Sequence, residues 1–445
     1  MPSGSSESNC PHPKALREPG PVAITVIEPS DTVSRDGPRR KIERGRTLGR
    51  AVAIASFLMI LSGCSEPSKF GASDPPQTSA ETKDWSGFGI LENVLNWTPE
   101  QQLRGYRNID KIYPTRPITA SDDPYPLPNN WTDLADLRYE VSGGTFDVDR
   151  FFKQNHLVGL LVIKQGKVVV ERYGLGNTPE TRWYSFSVAK SVVSMLIGAA
   201  IRDGYIQSLD TVVTDYLPLL SGSAYEDVTI RDAMQMTSGV AWDEDYTDPE
   251  SDIASTGGSV LDRLRYLRDK LRVAPPGDVF NYNTAETNLL GAVLRAAIGN
   301  NLSAYLEHKI WRPFGMEHNA NWLLLTPGGA EHAGCCLSAT LRDYGRIGLF
   351  AMRNGQLRDG TPVLPGGWME ESTTPSRANQ GYGYLWWLRG SGVYDAVGIY
   401  GQAIHIDLAE ELVIVTHSAW PVPIGPVFSL HRSAFFEAVT SALSN

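Results

Sequence analysis

The sequence predicts a mixed α/β protein of the α+β type: an antiparallel sheet flanked by helices, with an inserted all-helical lobe and a cleft between the two. Three observations carry this expectation. β-rich apolar runs occur near both ends of the main domain, and the stretch between them, about residues 204–325, reads mostly at helical spacing. No self-similarity at a period of about 20 to 50 residues points to a solenoid or propeller. A cleft between a sheet and a helical lobe is the default position for a small-molecule site.

The 445 residues divide into unequal parts. Residues 51–61 (AVAIASFLMIL) form an apolar run of 11, preceded by Arg39, Arg40, Lys41, Arg44, Arg46 and Arg50. That is too short to span a bilayer, which takes about 20 residues, but suits the apolar core of a signal peptide. Leu61-Ser62-Gly63-Cys64 follows and resembles a bacterial lipobox. The resemblance implies cleavage before Cys64, lipidation of its thiol, and a bacterial cell-envelope location with membrane attachment through the lipid. Expected parts are therefore a leader over 1–63, a polar tether over 64–83, a wrapping segment over 84–130 with scattered aromatics, and a main domain over 131–445. Residues 1–63 hold nine Lys/Arg and six Asp/Glu, so their removal changes the net charge from −10 to (40 − 9) − (50 − 6) = −13.

Within the main domain the elements follow in order. Leu157 to Ile163 and Val168 to Tyr173 are β-rich, and Lys164-Gln165-Gly166-Lys167 between them marks a hairpin. Ser187 to Ile201 carries apolar residues at helical spacing, as do Ile230 to Met236, Val260 to Leu271, Thr284 to Ala297 and Leu302 to Trp311. Strand signals return at Gly383 to Trp387, Ala403 to Ile406 and Leu412 to Thr416, and Val427 to Leu443 closes as a helix.

The acidic balance, 40 Lys/Arg against 50 Asp/Glu, argues against a nucleic-acid partner held by phosphate neutralisation. Four cysteines (Cys10, Cys64, Cys335, Cys336) make no disulfide framework, and adjacent Cys335 and Cys336 are expected as two unlinked small residues. Neither HExxH nor CxxC spacing occurs, so no metal is expected, and no cofactor either: Gly174-Leu175-Gly176 lacks the third glycine of a dinucleotide site. The absence of GxSxG argues against an α/β-hydrolase.

Chemistry concentrates in Ser187-Val188-Ala189-Lys190. Residues three apart on a helix share a face, so the Lys190 amine can approach the Ser187 hydroxyl. That tetrapeptide gains weight from its company: Tyr184-Ser185-Phe186-Ser187-Val188-Ala189-Lys190-Ser191, the run from Thr229 to Gly239, Pro276-Gly277-Asp278-Val279-Phe280-Asn281-Tyr282, and Ala339-Thr340-Leu341-Arg342-Asp343-Tyr344. Together they resemble the serine β-lactamase and penicillin-binding-protein superfamily, within it the 6-aminohexanoate-dimer hydrolases and class C-like esterases. The resemblance runs from about Leu91 to the C-terminus. It implies a β-lactamase-like fold and a serine hydrolase with Ser187 as the acylated nucleophile, Lys190 as proton acceptor or relay, and Tyr282 as the proton shuttle. Which of Lys190 and Tyr282 is the general base stays open, because the two would titrate as a coupled pair.

Further roles follow from the same resemblance. The backbone N–H groups of Ser187 and Ile399 would form the oxyanion hole. Tyr246, Thr284, Tyr400 and His431 would contact substrate, Tyr246 through the nitrogen of an amide. Thr284 departs from the Asn or Ser usual there. A larger departure concerns the third box, where the superfamily has a Lys that binds the substrate carboxylate: here Ala396-Val397-Gly398 occupies it, and no lysine follows Lys309. High β-lactamase efficiency is therefore not expected unless an arginine reaches in from elsewhere. The expected reaction is hydrolysis of a small linear amide or ester through an acyl-enzyme at Ser187. Carboxylesterase, D-Ala-D-Ala-type peptidase or β-lactamase action are the enzymatic alternatives, and a catalytically dead envelope binding protein is the non-enzymatic one.

Overall fold

A computed structural model describes residues 84–444. The leader, Cys64 and the tether lie outside the described residues. Among the described residues the strands are β1 (Thr115–Ile118), β2 (Arg138–Val141), β3 (Gly144–Asp147), β4 (Leu157–Lys164), β5 (Lys167–Tyr173), β6 (Arg182–Tyr184), β7 (Ala320–Leu323), β8 (Leu337–Thr340), β9 (Trp387–Gly390), β10 (Val393–Gly398), β11 (Gln402–Asp407) and β12 (Leu412–Ser418). They form a six-stranded sheet in the order β5-β4-β12-β11-β10-β9, a four-stranded sheet β1-β7-β8-β6, and the hairpin β2-β3.

The six-stranded sheet is antiparallel throughout and joins both ends of the domain, as expected. Its strands read as continuous apolar runs because both faces are covered. Leu160 and Val162 of β4 point to one side, into a core with Phe151 of the helix Val148–Gln154 and Phe435, Phe436 and Val439 of the helix Pro426–Leu443. Leu161 and Ile163 point to the other, against the helices Val188–Arg202 and Leu341–Met352. This is the two-residue alternation of a pleated strand. The helix Val188–Arg202 buries 13 of its 15 residues, including Lys190, and so runs through the main core rather than along it.

The helical region contains Ile230–Met234, Val260–Arg268, Thr284–Ile298 and Leu302–Leu306, the last continuing as a π-turn over Glu307–Trp311. Two expectations need correcting. Residues Ala320–Leu323, inside the segment read as helical, form β7 and pair with β1 and β8. The segment Gly383 to Trp387 is no strand: Leu385 takes φ 61° and its N–H bonds back to Met234 O, so the chain turns there and β9 starts only at Trp387.

Phe88, Trp97 and Tyr106 from the start of the described chain pack with Trp183, Tyr184, Phe186 and Tyr400 in a third core directly behind Ser187. Among the described residues no helix is long and apolar enough to cross a membrane.

Candidate active site

Ser187 caps the helix Val188–Arg202 at its N-terminus, where the positive end of the helix favours a developing negative charge. Phe186 immediately before it holds φ 46°, the left-handed region that a bulky residue adopts only when its surroundings impose it. Those surroundings are the aromatic core: Phe186 packs edge-on against Tyr184 and Tyr106 and at a tilt on Tyr400.

One turn into the helix, the Lys190 Nζ lies 2.9 Å from Ser187 Oγ, 3.0 Å from Thr284 Oγ1 and 2.6 Å from Gly334 O. Thr284, the first residue of the helix Thr284–Ile298, donates its hydroxyl to Glu244 Oε1, so toward Lys190 it can only accept. As an ammonium, Lys190 donates to all three; once neutral, its two N–H bonds can stay on Thr284 Oγ1 and Gly334 O, which frees the lone pair for Ser187. Burial pulls the Lys190 amine down to about 8, opposed by the Glu244 charge.

Tyr282 closes the other side. Its ring centre is 5.1 Å from Lys190 Nζ, and it stacks on Trp387 at 5.7 Å. Burial first, then the Glu244 charge, push its phenol well above the ordinary tyrosine value, while a hydrogen bond with Ser187 opposes them. A protonated Tyr282 can donate a proton but is poorly suited to start by removing one.

Glu244 is a group that sequence reasoning missed. It accepts from the Tyr246 hydroxyl at 2.6 Å, from Thr284 N–H at 2.9 Å, and from Trp242 Nε1. Its charge is felt by Lys190, Tyr246 and Tyr282 alike. Nothing in Trp242-Asp243-Glu244-Asp245 singles out the middle acid; only the tertiary fold turns it toward the Thr284 hydroxyl.

The third box lies on β10. Strand β9 pairs with β10 only as far as Asp395, so Ala396–Gly398 have no partner strand on that side. Val397, Gly398 and Ile399 line a cleft of about 630 Å³ together with Ser187, Glu244, Tyr246 and Tyr282. Glycine at 398 is required for this approach: a Cβ there would lie 2.5 Å from Ser185 O and 3.1 Å from Phe186 Cβ. The close passage brings Ile399 alongside the nucleophile.

The fold therefore brings Ser187, Lys190, Tyr282, Thr284, Tyr246 and Ile399 together, and leaves two expected substrate contacts out. Tyr400 is buried in the aromatic core, its hydroxyl donating to Leu95 O at 2.7 Å. A φ of 60° at Tyr400 turns its side chain away from the cleft. His431 is buried on the far face of the sheet, bonded to the Tyr139 hydroxyl at 3.0 Å and to Gln154 Nε2 at 2.7 Å. Its neighbour Arg432 faces the cleft instead, since successive helix residues point about 100° apart.

Arg432 is buried, its guanidinium 5.1 Å from the Trp420 ring and its Nη1 without a hydrogen-bond partner; burial pulls it down to about 10. Arg389, bonded to Asp395 at 2.6 Å, lines the same cleft. Two arginines thus line the cleft whose third box lacks a lysine.

A second, narrower cavity meets the first at Ser187 and is lined by Leu91, Val94, Leu95, His332, Cys335 and Cys336, among others. The side chains of Cys335 and Cys336 turn to the same side and lie against each other. In an extended chain adjacent side chains point to opposite sides; Cys336 takes φ 91° instead, which ends that alternation.

Comparison with known proteins agrees with this geometry. Residues 148–437 match the family model described as Beta-lactamase. The chain is 27% identical over 302 residues to a 6-aminohexanoate-dimer hydrolase of Paenarthrobacter ureafaciens, covering 62% of this chain and 76% of that protein. In fold it is similar to the structure named "Putative 6-aminohexanoate-dimer hydrolase from Bacillus anthracis", with TM-score 0.67 at 22% identity, covering 77% of this chain and 94% of the other. It is also similar in fold to a penicillin-binding protein from Bacillus halodurans, with TM-score 0.53 at 20% identity, covering 65% and 99%. The expected superfamily and fold class hold, and so does an enzyme over a binding protein: the chain belongs to the Beta-lactamase family and is a serine hydrolase.

Proposed function

We propose that the protein cleaves a small linear amide or ester through an acyl-enzyme at Ser187. The observation that carries this reading is the hydrogen-bond frame around Lys190, whose Nζ is held by Gly334 O and Thr284 Oγ1 and lies 2.9 Å from Ser187 Oγ. In the proposed sequence neutral Lys190 takes the Ser187 proton as Oγ attacks the carbonyl carbon. The N–H groups of Ser187 and Ile399 hold the oxyanion, a donor pair whose loss of one member typically costs about 100- to 1,000-fold. Tyr282, protonated, delivers a proton to the leaving group, and Tyr246, anchored on Glu244, supports the nitrogen when that group is an amine. Water then attacks the acyl-enzyme, with the same residues moving the protons in reverse.

Arg432 and Arg389 in the cleft favour a substrate with a carboxylate on the side away from the scissile bond, as in an aminohexanoate oligomer. The same arginines give a second reading, D-Ala-D-Ala-type peptidase or β-lactamase, more support than the missing lysine suggests. Steady-state turnover of matched carboxylate-bearing amides, esters and a chromogenic cephalosporin by the purified protein separates the two. Faster turnover of the linear amide or ester is expected; cephalosporin turnover far above both would reverse the order.

We infer as well that Cys64 carries a lipid in the bacterial cell envelope, on the strength of the Leu61-Ser62-Gly63-Cys64 box. Incorporation of labelled palmitate, lost in Cys64→Ala, tests this; equal incorporation in the variant would refute it.

A further inference from the structure

The mouth of the cleft carries a surface that the proposed reaction does not explain. Residues 421–430 (PVPIGPVFSL) include no charged side chain. Among the described residues, four of the 13 exposed large hydrophobic side chains, Val422, Ile424, Val427 and Leu430, fall in this rim, so the exposure is concentrated rather than scattered. Ile424 is 62% exposed and Val427 61%. The backbone holds them out. Pro426 starts the helix Pro426–Leu443, which lays Val427 and Leu430, three apart, on one face. Phe428 turns inward onto Trp420, ring centres 5.4 Å apart, and Pro423 O accepts from Tyr400 N–H at 3.0 Å. Pro423, Ile424, Pro426 and Leu430 also line the cleft that holds Ser187, so the apolar surface runs from solvent into the site.

We propose that the rim docks on a lipid bilayer, with Ile424, Val427 and Leu430 entering its interface and the mouth of the cleft opening onto it. The chemistry of the surface favours a bilayer over a protein partner. It is aliphatic, and Pro421, Pro423 and Pro426 remove three backbone N–H donors. A specific protein interface takes about one hydrogen bond per 100–200 Å2, whereas an apolar phase asks for none. The acidic balance of the chain, −10 overall, leaves apolar contact rather than attraction to anionic lipid as the means of attachment.

The path of the chain points the same way. Tyr400, whose N–H holds Pro423 O, gives its hydroxyl to Leu95 O at 2.7 Å. The N-terminal segment of the described domain therefore borders the rim. From Cys64 to Asp84 is a step of 20 residues, which at full extension spans about 70 Å. The lipid proposed at Cys64 would keep the domain within that reach of a bilayer, at an effective concentration that lets a weak contact count. A substrate dissolved in the bilayer would then enter the cleft from the lipid side. This consequence rests on the serine-hydrolase reading, whereas docking does not.

Amide hydrogen exchange of the full chain, with Cys64→Ala so that no lipid contributes, reads the contact at the rim itself. Phosphatidylcholine vesicles are expected to slow exchange over 421–430 by at least about tenfold, and the slowing should survive about 1 M salt. Adding Val422→Asp and Val427→Asp should abolish it. Both valines are exposed and neither lines the cleft, and an acid in the first turn suits a helix start, so the fold and turnover of a short soluble ester should not change. Exchange over 421–430 that vesicles leave unchanged, or slowing equal in the Asp variant, would overturn the docking. Slowing that comes with protein concentration alone would overturn it too, in favour of a second copy. Loss of long-chain soluble ester turnover in the Asp variant without any effect of vesicles would instead assign the rim to the substrate's chain. Hydrolysis of a long-chain ester embedded in the vesicles should fall in the Asp variant; equal hydrolysis would overturn entry from the lipid side. No ester turnover by either chain would count against the serine-hydrolase reading and leave the exchange result to decide the docking.

Discussion

Replacing Glu244 with Gln removes the carboxylate that the Thr284 hydroxyl links to Lys190. Two consecutive hydrogen bonds put the charges roughly 5 Å apart, which at an effective dielectric of about 20 is worth about 3 kcal/mol, or about two pKa units. The Lys190 amine, held at about 8 with Glu244 opposing its burial, should fall to about 6 without it. The active form in the proposed mechanism is the neutral amine. In the wild type, kcat/KM should therefore climb about tenfold per pH unit up to about 8 and then level. In Glu244→Gln the same limb should lie about two pH units lower, and its plateau should be lower too, because a weaker base accepts the serine proton less readily. A pH profile of kcat/KM on an ester, with far-ultraviolet circular dichroism to check the fold, measures this. A limb that stays near 8, or moves upward, would refute the assignment of Lys190 as base and Glu244 as the charge that tunes it.

Other substitutions test other contacts. Arg432→Met should raise KM for a carboxylate-bearing substrate by about 10- to 100-fold, the worth of about 1.5–3 kcal/mol for hydrogen bonds to a charged group. An uncharged analogue should be unaffected, and equal losses on both would remove Arg432 from substrate binding. Tyr246→Phe should slow an amide at least about tenfold more than its matched ester, because only the amine must be helped to leave; equal slowing would contradict that role. Gly398→Ala puts a Cβ 2.5 Å from Ser185 O, and the displaced Ile399 N–H should cost about 100-fold in kcat with little change in the circular dichroism spectrum. Unchanged kcat would mean Ile399 is no oxyanion donor.

What was legible in the sequence is what is local. The spacing of Ser187 and Lys190 follows from one helical turn, and the box ending in Tyr282 sits at a helix start whose cap, Asn283, is adjacent in the chain. The hairpin of β4 and β5 was likewise marked by its turn. Contacts made across the fold were not. Glu244 meets Thr284 across 40 residues of sequence, and nothing distinguishes it from the acids on either side. Helix phase misled at the C-terminus: His431 and Arg432 are consecutive, and only the packing of Phe435 and Phe436 against the sheet decides which of them sees the cleft. Tyr400 shows a similar limit, since a left-handed φ at a non-glycine residue has no signature in composition or spacing. The short strands β6, β7 and β8 lack enough residues to show any periodicity, so the four-stranded sheet they form with β1 was invisible.

The central claim is that Ser187 becomes acylated. Incubating the protein with a fluorophosphonate, or rapidly quenching it during ester turnover, and then mapping the adduct by peptide mass spectrometry tests it most directly. The account predicts a single stoichiometric adduct on the peptide containing Ser187, absent from Ser187→Ala together with hydrolysis. Labelling of Ser187→Ala at the wild-type level, or an adduct carried by another residue, would contradict it.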